Sequence, residues 1–274
     1  MGSASAWSRV EEVIAAVSQT GMVGVSLIGP DGAMWQRFGD RKFPPASTLK
    51  IPVMVEIYRK VDAGELSLDE PWTLADDDRV MGSGVLTHMR AGATITYEDL
   101  MFLMISISDN LATDVLINKA GLEAINRGMA DLGMKNSRLG GTIRMLFDGT
   151  AGPNAATPND YAGAIAAILD GRAASAASCE AMTKMLEKQQ NHRRIARYLP
   201  PAVPLSTDIR FGSKTGTTRG VCNEAGFVMG PNGRLIIAVY TENYPDTHTG
   251  EQVIGEIARA ALADTGVAAP TYTS

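Results

Sequence analysis

Histidine and cysteine are scarce in this chain, three and two among 274 residues. His88, His192 and His248 stand far apart, and neither H-E-x-x-H nor a Cys/His cluster occurs, so no metal or metal-borne chemistry is expected. No G-x-S-x-G elbow is present either, which removes the main support for a Ser-His-Asp enzyme. Cys179 and Cys222 form no C-x-x-C pair, and two buried free thiols are expected rather than a disulfide scaffold. G-x-x-x-x-G-K-[ST] and G-x-G-x-x-G are both missing, so nucleotide chemistry is unsupported and no cofactor is expected. The net charge of -5 offers no broad basic face, which argues against nucleic acid as a partner. No apolar run reaches membrane-spanning length.

What is present divides by position. Residues 8–19 read as an amphipathic helix, with Val10, Val13, Ile14 and Val17 on one face. Glu11 and Glu12 fall where a secretory signal would need its apolar core. As written, the chain is expected in the cytoplasm. Met1-Gly2-Ser3 fits a cloning remnant, and a trimmed leader would place the protein in the periplasm or outside the cell. Met22 to Ile28 and Ala33 to Phe38 flank a Gly-Pro-Asp-Gly turn and read as a hairpin. Residues 47–63 are helical, and their apolar residues cover almost the whole circumference, which marks a buried helix. Further helices are expected over 97–107, 111–119, 122–132, 159–170 and 178–190. Cys222 to Met229 and Arg234 to Thr241 flank Pro231-Asn232-Gly233, a second hairpin signal, and a last helix spans 250–263.

Strand signals thus sit at both ends and helices in the middle. This order predicts an α+β fold of two lobes in one catalytic domain over 1–274. Lobe one, 1–46 with 207–274, carries an antiparallel sheet built from both termini and flanked by helices. Lobe two, 47–206, is an inserted, mainly helical unit.

Three short motifs carry the chemistry. Ser47-Thr48-Leu49-Lys50 is S-x-x-K, Ser108-Asp109-Asn110 is S-D-N, and Lys214-Thr215-Gly216 is K-T-G. An S-x-x-K alone is nearly uninformative. S-D-N is expected by chance about 0.04 times and K-T-G about 0.06 times in such a chain, so all three together come to about one in a thousand. Ser47 at a helix start lies where free N–H groups and the helix dipole favour developing negative charge. Lys50 is one turn on, on the same side. At its reference pKa only about 0.04% of a lysine is neutral at pH 7, so Lys50 acts as a base only if burial and a second cation, with Lys214 the candidate, lower that value. The competing reading makes Ser47 a mere N-cap and Lys50 a surface residue.

These three motifs in this order, spaced by 61 and 106 residues, resemble the class A β-lactamases and related penicillin-recognising enzymes. Phe43-Pro44-Pro45-Ala46 before Ser47, Gly84-Val85-Leu86 before Ser108 and the stretch Gly121 to Leu139 resemble the family as well. The resemblance implies a serine hydrolase that forms an acyl-enzyme at Ser47. Its substrate would be a small molecule with a β-lactam or related amide or ester bond and a carboxylate. It implies Lys50, Ser108 and Lys214 as catalytic partners, with Ser108 relaying a proton to the leaving group. It implies the N–H groups of Ser47 and Thr217 as the oxyanion hole. Asn110, Thr215, Gly216 and Thr217 would bind substrate, with Gly216 letting the backbone approach it closely. Asp109 has only a carboxylate and fits a loop brace better.

The resemblance breaks in two places. Class A enzymes carry a deacylating glutamate between the second and third motifs, yet no glutamate lies between Glu123 and Glu180. Asp148 is the one carboxylate of the loop over 140–158 and hence the candidate substitute base. The family's arginine beyond the third motif is also missing, with Asn223-Glu224 near its place. Arg219 and Arg210 are candidates for its role, although a solvated arginine is the plainer reading of each. Without the glutamate, the alternatives are a D-Ala-D-Ala-type peptidase or a slowly deacylating penicillin-binding or sensor domain.

Overall fold

The structure, a computed structural model, describes residues 6–199 and 208–268. The expectations on Met1-Gly2-Ser3 and on the lobe limit at 206/207 lie outside these residues. Helix α1 (Ser8–Val17) precedes strands β1 (Met22–Ile28) and β2 (Met34–Arg37), which form the expected hairpin. A 3-10 turn, Ala46–Leu49, leads into helix α2 (Lys50–Asp62). Short strands β3 (Pro71–Thr73) and β4 (Thr94–Thr96) pair with each other. Helices α3 (Tyr97–Ser106), α4 (Asn110–Ala120), α5 (Leu122–Asp131), α6 (Ile143–Phe147), α7 (Pro158–Leu169) and α8 (Ala176–Leu186) follow. The chain ends in β5 (Arg210–Thr218), β6 (Val221–Gly230), β7 (Gly233–Glu242) and helix α9 (Thr247–Thr265).

Among the described residues, five strands make one antiparallel sheet in the order β2-β1-β7-β6-β5. The two ends of the chain meet where Met22–Ile28 pairs with Ile236–Glu242. Strand alternation divides β7 between two apolar layers. Leu235, Ile237 and Val239 pack with Ile254, Ile257 and Leu262 of α9, while Ile236, Ala238 and Tyr240 face Tyr161 and Ile165 of α7. Both faces of the sheet are therefore covered, which is why β7 is an apolar run rather than an alternating one. Helix α2 buries Ile51, Val53, Met54, Val55, Ile57 and Tyr58, as its all-round apolar surface predicts.

Some boundaries differ from expectation. The helix expected over 47–63 begins as the 3-10 turn, because Ala46 at φ 45° bends the chain into Ser47. Helix α9 is longer than 250–263, since the Asp246 carboxylate accepts the Thr249 N–H at 2.8 Å and starts it earlier. Strands β3 and β4 went unread because three residues carry no usable alternation. Cys179 and Cys222 are both buried and free.

Candidate active site

The geometry starts at Pro44 and Pro45. The Asn223 amide donates to the Pro44 carbonyl at 2.8 Å, and the Thr48 hydroxyl donates to the Pro45 carbonyl at 2.7 Å. The Tyr240 hydroxyl donates to Thr48 Oγ1 at 2.9 Å. The turn carrying Ser47 is thereby fixed to β6 and β7. Strand β5, the outer strand of the sheet, lies directly against it. A Cβ on Gly216 would stand 2.9 Å from the Pro45 carbonyl oxygen and 3.0 Å from the Ser47 nitrogen. The glycine thus makes room for the turn that carries Ser47. Ser47 makes no capping bond, so it is not the N-cap of the competing reading.

Ser47 lines a cavity of about 390 Å³ together with Leu49, Asn110, Ile143, Leu146, Phe147 and Thr217. Ser108 and Thr215 line a second one of about 380 Å³, with Gln190, His192 and Arg193. The S-D-N segment stands between Lys50 and these cavities. Lys50 is wholly buried. Its Nζ donates to the Ser108 carbonyl at 2.7 Å, to Ser108 Oγ at 3.0 Å and to Asn110 Oδ1 at 3.0 Å. Ser108 reaches this position at φ 62°, a strained left-handed conformation for a residue with a Cβ. Asp109 is the expected brace. Its buried carboxylate accepts the N–H groups of Val85, Leu86 and Ala112 at 2.7, 3.0 and 3.0 Å. The Asn110 Nδ2 is committed to the Met81 carbonyl at 3.0 Å.

Burial above all, and then the charge of Lys214, holds the Lys50 amine well below the ordinary lysine range. Lys214 is also fully buried, donating to the Thr215 carbonyl at 2.9 Å. Burial, with Arg194 as the next cause, lowers it to about 7, and Glu224 partly offsets this.

Arg194, Asn223 and Glu224 are the residues that sequence reasoning missed or set aside. Arg194 precedes β5 and is 1% exposed. Its guanidinium donates to the Gly216 carbonyl at 3.0 Å, the Asn223 carbonyl at 2.6 Å and Thr217 Oγ1 at 2.5 Å. It stands 3.6 Å from Glu251. A buried cation therefore does serve the K-T-G strand, but from the segment before the motif. Neither sequence candidate does so. Arg210 is ion-paired with Glu187 at 2.7 Å, and Arg219 is exposed at the strand's far turn. Glu224, unpromising as an anion binder, instead holds the cation in place. Its carboxylate accepts Ser213 Oγ at 2.6 Å and the Ile195 N–H at 2.7 Å, tying the segment of Arg194 to β5.

Asp148 does not join the site. It is the exposed C-cap of α6, while Ile143, Leu146 and Phe147 of the same short helix line the cavity. Helical spacing that turns those three apolar residues inward leaves the carboxylate outside. No carboxylate lines either cavity among the described residues. Nor do the described residues hold a His/Cys/Asp/Glu cluster that would bind a metal ion.

A sheet made from both chain ends and flanked by helices, with a mainly helical unit inserted between them, is the β-lactamase fold. The chain belongs to the Beta-lactamase enzyme family, which it matches over residues 5–265. It is similar to a β-lactamase from Sphaerobacter thermophilus, with 50% identity, 96% of this chain and 99% of that chain covered, and a TM-score of 0.91. The β-lactamase AER-1 of Aeromonas hydrophila is 27% identical over 243 residues, covering 86% of this chain and 78% of that protein. A leucine-to-glutamate mutant of PBP-A, solved as an acyl-enzyme complex with penicillin G, is similar at 25% identity and a TM-score of 0.83. That match covers 93% of this chain and 95% of PBP-A.

Proposed function

We propose that this protein is a serine hydrolase that opens β-lactams, or related amides and esters, through an acyl-enzyme on Ser47 and releases the acyl group slowly. The observation that carries this reading is the buried Lys50 amine, hydrogen-bonded to Ser108 and Asn110 beside the cavity of Ser47. Ser47 Oγ attacks the acyl carbonyl while Lys50, in its neutral form, takes the hydroxyl proton. The N–H groups of Ser47 and Thr217 hold the oxyanion. On collapse the carbon–nitrogen bond breaks, and the Lys50 proton passes through Ser108 Oγ to the leaving nitrogen. Lys214, Thr215, Thr217 and Arg194 hold the substrate carboxylate.

Release of the acyl group needs a water and a base, and the cavity beside Ser47 has apolar side chains where a carboxylate would serve. An acyl-enzyme also persists in the similar PBP-A mutant with penicillin G, which supports the same intermediate here. The expected result with a chromogenic cephalosporin is a burst of about one equivalent followed by slow turnover. Rapid linear hydrolysis without a burst would contradict slow release. Intact-mass measurement during the slow phase is expected to find the acylated protein accumulated.

The pKa of Lys214 gives a pH dependence with a definite sign. The carboxylate site needs the ammonium form, and in the free protein that form is lost as pH rises through about 7. For a carboxylate-bearing substrate, kcat/KM is therefore expected to fall on the alkaline side, by up to about tenfold per pH unit. A neutral ester lacks this limb. The Glu224 charge raises the Lys214 pKa, so Glu224→Gln is expected to move the limb to lower pH. An unmoved limb in that variant would remove Glu224 from the charge balance of the site.

A further inference from the structure

A third cavity, of about 630 Å³, shares Pro44 and Asn154 with the cavity of Ser47 but holds none of the motif residues. Its size suits a small molecule. Its charge is one-sided. Lys42, Lys135 and Arg138 line it, and no aspartate or glutamate among the described residues does. In a chain of net charge -5, three cations around one hollow run against the general balance. Other surface cations are matched, Arg41 by Glu242, Lys119 by Glu70 and Arg234 by Asp170. The side chains of Lys42, Lys135 and Arg138 are exposed and make no hydrogen bond or ion pair among the described residues.

The neutral polar groups have the same bias. Asn154 Oδ1 accepts the Gly140 N–H at 2.5 Å, and Ser137 Oγ accepts the Thr157 N–H at 3.0 Å. With those oxygens used by the backbone, the Asn154 amide nitrogen and the Ser137 hydroxyl proton are left as donors. The frame around them is fixed. Phe43 and Ala156 exchange backbone hydrogen bonds of 2.8 and 2.9 Å, and Arg138 and Ala155 exchange bonds of 2.8 and 3.0 Å. Asn126 ties α5 to the same frame, its Oδ1 accepting the Leu139 N–H at 2.9 Å. The buried Asp160 carboxylate accepts the Asn136 N–H at 2.9 Å and holds that segment without lining the cavity. Donors and cations mounted on a fixed frame lower the ordering cost of binding an anion.

We propose that this cavity binds a small anion of the phosphate class that carries two or more negative charges. Lys42, Lys135 and Arg138 supply the opposite charge, and Ser137 and Asn154 supply neutral donors. The planar fork of the Arg138 guanidinium suits two oxygens of one phosphate, while the two lysines act as point charges. The site is separate from the chemistry at Ser47, and neither reading depends on the other.

The test is isothermal titration calorimetry of the intact protein at constant ionic strength, with sodium pyrophosphate as the inorganic probe and ribose 5-phosphate as the organic one. The better probe is expected to bind with a Kd of about 10–100 µM, weakening as salt is added. Either probe at that strength supports the site, and the tighter of the two identifies the source of the phosphate. Lys135→Gln and Arg138→Gln are each expected to weaken binding by about fivefold or more. The variant combining Lys42→Gln, Lys135→Gln and Arg138→Gln is expected to lose it. Arg90→Gln, at an exposed cation outside the cavity, is expected to change nothing. Pyrophosphate is also expected to raise the melting temperature of the unaltered protein but not of the triple variant. Lys50, Lys214 and Arg194 are the rival cations, so binding that persists in the triple variant assigns the anion to the catalytic cleft and overturns the proposal. A Kd above about 1 mM for both probes overturns it as well.

Discussion

Ser47→Ala is expected to abolish the acyl adduct that a β-lactam or active ester leaves on the unaltered protein, a loss of about 10,000-fold or more in acylation rate. The size follows from the division of labour in the cleft. In the proposed mechanism, removing Ser47 Oγ leaves the oxyanion donors, Lys50 and the carboxylate site in place, but removes the atom that would form the bond. Ser108 is the rival nucleophile, since its Oγ lies 3.0 Å from the Lys50 amine. Its place argues against that role. Ser108 lines the second cavity with Thr215, whereas the N–H groups suited to an oxyanion belong to the turn of Ser47 and to β5, which Gly216 lets meet. Intact-mass measurement separates the two, because an adduct formed at normal rate in Ser47→Ala assigns the chemistry elsewhere. Stability gives an independent control. The Ser47 side chain caps no helix, so the melting temperature is expected to move by no more than an ordinary partly exposed substitution allows.

The parts of this site that were readable in the sequence are those held by local rules. Ser47 and Lys50 share one turn, so their spacing alone brings them together. The sheet was readable because hairpin turns and apolar runs sit at both ends of the chain. Asp109 was readable as a brace because a carboxylate beside a helix start accepts N–H groups. The unread parts come from long-range pairing. Arg194 sits in a run with Arg193 and Arg197, and nothing local marks it as the one that is buried. What selects it is the Glu224 carboxylate, which receives the Ile195 N–H across 29 residues of sequence. Asn223 and Glu224 were visible only as departures from a familiar pattern, although both anchor the site, one by the Pro44 carbonyl and the other by Ile195. Asp148 failed for the opposite reason. It is the right residue type in the right loop, but one position past the face that α6 turns to the cavity.

The second large effect concerns Lys50, where two replacements distinguish base from charge. Three buried cations, Lys50, Lys214 and Arg194, share the site's interior with the buried carboxylates Asp109, Glu224 and Glu251. A lysine in that setting can serve as a fixed positive charge or as a proton acceptor, and the geometry alone fits both. Burial and Lys214 push its pKa down, which raises the neutral fraction at neutral pH and favours the acceptor role. Lys50→Met keeps much of the volume but has no amine, and Lys50→Arg keeps the charge but does not give up its proton. If Lys50 is the base, both variants are expected to lose acylation by about 100- to 10,000-fold. If it is only a charge, Lys50→Arg retains most of the rate and Lys50→Met does not. The pH profile gives the same discrimination without mutation. Acylation of a neutral ester is expected to rise with pH through the lowered Lys50 pKa and then level, because only the neutral amine accepts the Ser47 proton. A rate independent of pH across the acid range, together with an active Lys50→Arg, would remove Lys50 from the proton path and leave Ser47 without an activator.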